Sequence, residues 1–131
     1  MAALDTNIVV RLIIGDDAKQ ARAAEKLVAV SACTIAPTVL MECEWVLRAG
    51  YQLNAKLIAA SMRDLLSLQN IEATEPVIAQ QTLQGYEAGL DFADALHAAQ
   101  RPDGETFATF DKKFVQRAPK AGVRGVMLVK T

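Results

Sequence analysis

Carboxylate side chains that follow short apolar segments are the residues in this sequence best suited to chemistry. Asp5 ends the apolar run 2–5, and Asp111 follows a predicted strand at 106–110. Asp94 lies in the first turn of the helix predicted before that strand. In a parallel sheet such positions meet beyond the carboxyl ends of the strands. Crowded carboxylates repel one another, and oxygen ligands without His or Cys favour Mg²⁺ or Mn²⁺, so the pattern predicts a divalent cation site.

A fourth carboxylate comes from the predicted helix 38–49, which carries Glu42 and Glu44. Residues two apart on a helix are separated by about 200° of rotation, so only one of the two can join a common site. Glu44 shares its side of the helix with Arg48, whereas the side of Glu42 contains Trp45 and no Arg. Spacing leaves the choice open and favours Glu42.

Each of these residues also has a purely structural interpretation. Asp5 and Asp111 can cap the helices that follow them, and Asp91 and Asp94 have the spacing of a capping box. Glu42 can be a solvated helix residue. We interpret His97, one turn after Asp94, as a partly buried packing residue and not as a ligand.

The elements that must position these residues alternate between strands and amphipathic helices. We predict strands at 2–5, 33–36, 71–74, 106–110 and 126–129, and helices at 7–14, 18–30, 38–49, 54–68, 76–86, 91–101 and 112–117. We expect Thr38 and Asn54 to cap their helices. This order predicts an α/β fold with a mainly parallel sheet and helices on both faces, in a single domain over residues 1–131.

Composition excludes several classes of protein. The chain has 131 residues, of which 52% are hydrophobic and 22% charged, with a net charge of −1, as suits a globular core and not a disordered chain. Two Cys without C-x-x-C spacing and one His argue against a disulfide scaffold or a structural zinc site. G-x-S-x-G and Gly-rich phosphate loops are absent. We find no membrane span or secretory signal and expect a cytoplasmic protein.

Taken together, the motifs resemble those of PIN-domain ribonucleases and, within them, the VapC toxins of VapBC toxin–antitoxin systems. Five segments carry the resemblance: Leu4-Asp5-Thr6-Asn7, Val10-Arg11-Leu12 leading to Gly15-Asp16-Asp17, Met41-Glu42-Cys43-Glu44-Trp45-Val46-Leu47-Arg48, Asp91-Phe92-Ala93-Asp94-Ala95-Leu96-His97, and Thr109-Phe110-Asp111. The resemblance covers nearly the whole chain. It implies a three-layer sandwich around a mainly parallel sheet of four to five strands.

The resemblance also implies a set of site residues. The catalytic, metal-binding acids of the family fall on Asp5, Glu42, Asp94 and Asp111. Glu44 takes a position that is commonly apolar in relatives. Accessory positions fall on Thr6, Asn7, Asp91 and Thr109.

The implied activity is Mg²⁺-dependent hydrolysis of RNA phosphodiesters, with Mn²⁺ as a substitute and no protein nucleophile. Asp94 or Asp111 would orient the attacking water, and the residues do not decide between them. Arg11, Arg48, Lys112 and Lys113 lie near the acids in sequence and either contact phosphates or are solvated surface charges. Nothing in the sequence selects one RNA or a number of metal ions.

The resemblance further implies a cognate VapB-type antitoxin, with a homodimer and a toxin–antitoxin hetero-oligomer as the assemblies. We expect the antitoxin to place an apolar helix against helices 7–14 and 38–49, near Trp45, and an Arg in the acidic site. Core packing or a homodimer contact is the other explanation of these apolar faces.

Two other functions stay open at this point. One is a non-catalytic PIN-like module that binds RNA or protein. The other is a Mg²⁺-dependent phosphatase, which the sequence disfavours because Asn7 stands where such enzymes carry the second Asp of D-x-D.

Overall fold

A computed structural model describes all residues from Met1 to Thr131. The chain forms two compact units, Met1–Pro76 and Val77–Thr131. Seven α-helices and five strands follow one another in the predicted order, and every strand pair is parallel. The prediction of an α/β fold with parallel strands is therefore confirmed. No helix has the length and apolar character needed to cross a bilayer.

The first unit is built on a three-stranded parallel sheet in the order β1 (Ala2–Ala3), β2 (Cys33–Ile35) and β3 (Ile71–Ala73). Its helices are α1 (Thr6–Ile13), α2 (Ala18–Val30), α3 (Pro37–Trp45) and α4 (Ala55–Leu66), and a π-helical turn, Val46–Gly50, continues α3. In this unit α1 packs against α2, α3 and α4. These contacts place the start of α1 beside α3.

The second unit contains α5 (Pro76–Glu87), which starts at the unit boundary, α6 (Phe92–Gln100), β4 (Phe107–Thr109), α7 (Lys112–Arg117) and β5 (Val126–Leu128). A 3₁₀ turn, Pro119–Ala121, precedes β5. β4 and β5 form a two-stranded parallel sheet in which Thr109 pairs with Leu128. The apolar core of this unit is formed by Leu90 before α6, Ala95 and Ala98 of α6, Phe114 of α7, and Ala118 and Ala121 after α7.

Hydrogen bonding thus divides the strands between a three-stranded and a two-stranded sheet, where the sequence predicts one sheet of four to five strands. The strands are also shorter than predicted, at two or three residues each. A residue pattern marks apolar segments but not the point at which backbone pairing ends, which accounts for both differences.

Helix caps follow the sequence chemistry at most starts. Asn54 caps α4 as predicted, with its Oδ1 accepting from the Leu57 N–H at 2.9 Å. The predicted cap at Thr38 is wrong, because α3 starts at Pro37 and Ala36 precedes it without any side-chain cap. Proline suits a first helical position because it lacks an N–H that would need a partner there.

Candidate functional site

In the first unit, β1 leads directly to Asp5, which is the N-cap of α1. Its Oδ1 accepts from the Thr6 N–H at 2.7 Å, so the predicted capping role is confirmed. The bond occupies one carboxylate oxygen and orients the exposed side chain. The second oxygen, Oδ2, accepts no hydrogen bond, so capping leaves this acid free to bind a cation.

Glu42 on α3 is linked to the same place by Thr6. The Thr6 hydroxyl donates to Oε1 of Glu42. Thr6 is only 5% exposed, so this hydroxyl has little access to water and depends on its protein partner. The structure therefore brings Asp5, Thr6 and Glu42 together at the junction of β1, α1 and α3.

The buried thiol of Cys43 reports the electrostatics of this cluster. Burial and, after it, the negative charges of Glu42 and Asp5 raise the pKa of Cys43 to about 12. Its Sγ donates to the backbone oxygen of Thr6 at 3.8 Å. At neutral pH this thiol is protonated, and it packs in the core without acting as a nucleophile.

Glu44 has a different environment from Glu42. It is 4% exposed and accepts from Arg48, with Oε2 at 2.8 Å from Nε and Oε1 at 3.4 Å from Nη2. This bidentate ion pair one turn along the helix neutralises the buried carboxylate. The pairing agrees with the preference for Glu42 as the site residue.

In the second unit, Asp91 caps α6 by accepting from the Asp94 N–H at 3.3 Å through Oδ2, as the capping-box spacing predicts. Asp94 itself is half-buried in the first turn. Burial raises the pKa of Asp94, the negative charges of Asp91 and Asp111 raise it further, and His97 opposes them. These effects place Asp91 and Asp111 within electrostatic range of Asp94.

Asp111 is held at the end of β4 by two sets of bonds. Its Oδ1 accepts from the N–H groups of Lys113 and Phe114 at 2.9 and 3.1 Å, which caps α7. Its own N–H donates to Oγ1 of Thr109 at 3.0 Å. The hydroxyl of Thr109 therefore contacts a predicted site residue, and Oδ2 of Asp111 accepts no hydrogen bond.

The remaining accessory residues differ in their surroundings. His97 is exposed, so the expectation of partial burial is wrong, although its ring does stack on Phe107 with centroids 6.5 Å apart and planes 8° apart. The partly buried ring of Phe107 supplies this contact and leaves the imidazole exposed. Asn7 is exposed on α1 and makes no hydrogen bond through its side chain.

The four basic residues divide into paired and unpaired groups. Arg11 donates to Gln20, Asp16 and Tyr51 at 2.9 to 3.1 Å, and Arg48 binds Glu44. These bonds compete with phosphate for both guanidinium groups. Lys112 and Lys113 are exposed and form no ion pair, so they are the better placed of the four to meet phosphate.

The donor chemistry of the candidate acids fits a hard divalent cation. Asp5, Glu42, Asp94 and Asp111 each keep at least one carboxylate oxygen without a hydrogen bond, and none pairs with Lys or Arg. Carboxylate oxygens are ligands that Mg²⁺ and Mn²⁺ favour. Neither unit by itself gathers three or more of its His, Cys, Asp or Glu side chains into a metal site.

Sequence reasoning missed one surface beside Asp111. The ring of Phe110 is 67% exposed, and Lys130 follows the end of β5. The sequence feature that could have indicated this surface is an aromatic residue at the end of a strand, next to a predicted metal ligand and two lysines. The strand pattern alone assigns such a ring to the core.

Comparison with known families gives one match. The sequence model of the PIN domain family matches residues 2–120, a span that includes every candidate site residue and extends over both compact units. A search of the curated proteins finds no match to the chain.

Proposed function

The chain belongs to the PIN domain family, and on that premise we propose that it is a metal-dependent endoribonuclease and the toxin of a toxin–antitoxin pair. PIN domains are generally nucleases that act on nucleic acid and usually bind divalent metal ions. The proposal adds RNA as the substrate, internal phosphodiesters as the bonds cleaved, and Mg²⁺, with Mn²⁺ as a substitute, as the metal.

One observation carries the assignment of the site. Asp5 and Glu42 both accept a hydrogen bond from Thr6 in the first unit, and Asp94 lies within electrostatic range of Asp111 in the second. None of the four acids forms an ion pair with Lys or Arg. Two uncompensated carboxylates close to one another within the same unit disfavour the charged state unless a cation binds. We therefore assign Asp5, Glu42, Asp94 and Asp111 as the residues that hold Mg²⁺.

The residues of this chain prepare those acids for binding. The first turns of α1 and α7 orient Asp5 and Asp111 through backbone N–H groups, and the Thr6 hydroxyl orients Glu42. A divalent ion held there supplies activation of water and neutralisation of charge at the scissile phosphate. Hydrogen bonds that already hold the carboxylates in place reduce the reorganisation that metal binding requires.

Hydrolysis then needs no protein nucleophile. The oxygen of a water attacks phosphorus, the bond from phosphorus to the 3′ oxygen breaks, and the leaving oxygen takes a proton. The products are a 3′-hydroxyl and a 5′-phosphate. Asp94 or Asp111 orients the attacking water.

An RNA-cleaving toxin also needs an inhibitor, and we propose a VapB-type antitoxin bound in the cytoplasm. Trp45 lies on α3, three residues after Glu42, and is 60% exposed. An exposed indole close to the acidic residues suits an apolar helix that carries an Arg into the site. A homodimer and a toxin–antitoxin hetero-oligomer are the proposed assemblies.

Co-purification with the product of the neighbouring gene tests the inhibitor. We expect a complex that blocks cleavage, and weaker inhibition by an inhibitor whose basic tail has been removed. Full inhibition without that tail would contradict the insertion of an Arg into the acidic site.

A matched pair of variants tests the nuclease site. Glu42→Gln should abolish RNA cleavage because it removes an uncompensated carboxylate that binds the metal. Glu44→Gln should keep most of the activity and lose stability on the order of 1 kcal/mol, since it weakens the ion pair with Arg48. Initial rates on a labelled RNA and melting temperatures of both variants give the comparison, and the reverse pattern would overturn the assignment.

A further inference from the structure

Resting on the proposed RNA cleavage, we infer that Phe110 is a base-binding residue: its ring stacks on an unpaired base of single-stranded RNA while Lys112 and Lys130 contact the flanking phosphates. The residues belong to the second unit alone. They follow the carboxyl ends of β4 and β5, which are parallel neighbours.

The position of Phe110 is set by the bonds on either side of it. Thr109 accepts from the N–H of Asp111, and Asp111 caps α7, so the backbone around Phe110 is held by its neighbours. On the other strand, the Val129 N–H donates to the Thr109 oxygen at 2.8 Å. These bonds keep the end of β5, and with it Lys130, beside the turn that contains Phe110.

The exposure of the ring is unusual for its residue type. Phe110 is 67% exposed, whereas Phe92 and Phe114 are 1% and 3% exposed. An exposed aromatic ring held on a fixed turn is a ready surface for stacking.

The chemistry around the ring selects the ligand. Phe110, Lys112, Leu128, Val129, Lys130 and Thr131 line a cleft of about 410 Å³, and no Asp or Glu side chain lines it. Lys113 adds a third exposed ammonium group nearby in sequence. Two lysines and an aromatic face complement a phosphate backbone and a base plane.

The geometry of stacking indicates that the RNA bound at Phe110 is single-stranded. In a duplex both faces of each base are covered by its neighbours, so an external ring finds no free face. Phe110 therefore takes a base from a single-stranded loop or end. Because Asp111 is the next residue, a base stacked there brings its own phosphates towards a proposed metal-binding acid.

Binding of a fluorescently labelled single-stranded RNA, measured by anisotropy with EDTA present to stop cleavage, tests the inference. Base–aromatic stacking contributes about 1–3 kcal/mol, which corresponds to roughly 5- to 140-fold in Kd. For a ring exposed on one side we expect Phe110→Ala to weaken binding about five- to tenfold. Phe110→Tyr should bind within about twofold of the unmodified protein, and so should Val77→Ala, which shortens an apolar residue that is 68% exposed in the same unit.

Two further measurements separate stacking from a general loss of surface. An RNA that lacks the stacked base should bind the unmodified protein more weakly by the same factor as the Phe110→Ala substitution causes. Phe110→Ala should bind this RNA and the complete RNA with equal Kd. Lys130→Gln should weaken all RNAs alike and reduce the slope of log K against log salt by about 0.7.

Several results would overturn the inference. Unchanged Kd and KM for Phe110→Ala would show that the ring does not bind a base, and this result would leave the proposed nuclease activity unaffected. A change from dimer to monomer in Phe110→Ala, seen by light scattering, would assign the ring to a second copy of the chain. Failure of the proposed function is distinct, because a protein that cleaves no RNA with Mn²⁺ can still show the Phe110-dependent binding.

Discussion

At the scale of single residues, Thr6 connects two of the proposed metal-binding acids. Its backbone N–H donates to Asp5 and its Oγ1 donates to Glu42. A buried hydroxyl that donates to a carboxylate restricts the rotamers of the acidic side chain. We therefore propose Thr6 as a positioning residue that orients Glu42 for the proposed metal ion.

Thr6→Val tests this role because the substitution removes the hydroxyl at nearly constant volume. We expect the apparent affinity for Mn²⁺ to fall about tenfold, the usual effect of losing a hydrogen bond to a metal ligand. Thr6→Ser should restore it, since serine keeps the donor. Titration of Mn²⁺ against cleavage rate measures the effect, and equal Mn²⁺ dependence for Thr6→Val and the unmodified protein would refute it.

The sequence was sufficient to propose the acids as site residues, an assignment that stays a prediction, but it left their roles partly open. Helical spacing established that Glu42 and Glu44 point in different directions, and the Arg one turn after Glu44 marked the neutralised side. Spacing carries no information on burial, so the 4% exposure of Glu44 and the Thr6–Glu42 bond had to come from the structure. The surroundings of Phe110 and His97 were missed for the same reason.

At the scale of elements, the end of α1 is tied to the segment after the π-helical turn. The Tyr51 hydroxyl donates to Oδ2 of Asp16 at 2.8 Å, and Arg11 on α1 bonds both of these residues. The hydrogen bond from Tyr51 is the largest effect and lowers the pKa of Asp16; burial opposes it, and the charge of Arg11 adds a smaller lowering.

The hydrogen bonds of Asp16 predict that the free energy of unfolding depends on pH. A carboxylate whose pKa is lower in the folded state stabilises the fold above its unfolded pKa, and the contribution disappears as pH falls through the folded value. Asp16→Asn should therefore lower the melting temperature near neutral pH, and the difference should shrink once pH falls below the ordinary Asp value of 3.8. Asp103→Asn, in an exposed loop, is the control. A difference between Asp16→Asn and the unmodified protein that stays constant with pH would contradict the assignment.

Most elements were predictable because their signals are local. Apolar periodicity, Asn54 as a cap and the capping-box pair Asp91 and Asp94 each act within one or two turns. The π-helical turn at Val46–Gly50 was not predicted. It depends on bonds such as Tyr51 N–H to the Val46 oxygen at 3.3 Å, which the pattern of side chains does not record.

At the scale of the whole molecule, the proposed metal ligands come equally from the two compact units. Asp5 and Glu42 belong to the first, and Asp94 and Asp111 belong to the second. The family match extends over both units. The single domain predicted over residues 1–131 stays a prediction.

Metal binding should stabilise the protein, because a divalent ion relieves repulsion among the uncompensated carboxylates. A ligand that binds only the folded state at a hundredfold excess over its Kd adds about 2.7 kcal/mol. We expect millimolar Mn²⁺ to raise the melting temperature at constant ionic strength, and Asp94→Asn to respond less. An unchanged melting temperature in Mn²⁺ would count against a metal site.

The most direct test of metal-dependent RNA cleavage is a time course on 5′-labelled RNA with Mn²⁺, comparing the purified protein with Asp94→Asn. We expect fragments with a 5′-phosphate and a 3′-hydroxyl, cleavage that stops in EDTA, and a rate loss on the order of a hundredfold or more in the variant at an unchanged fold. Circular dichroism of both proteins supplies the control for folding. Equal cleavage by Asp94→Asn, cleavage that persists in EDTA, or no cleavage by the unmodified protein would contradict the central claim.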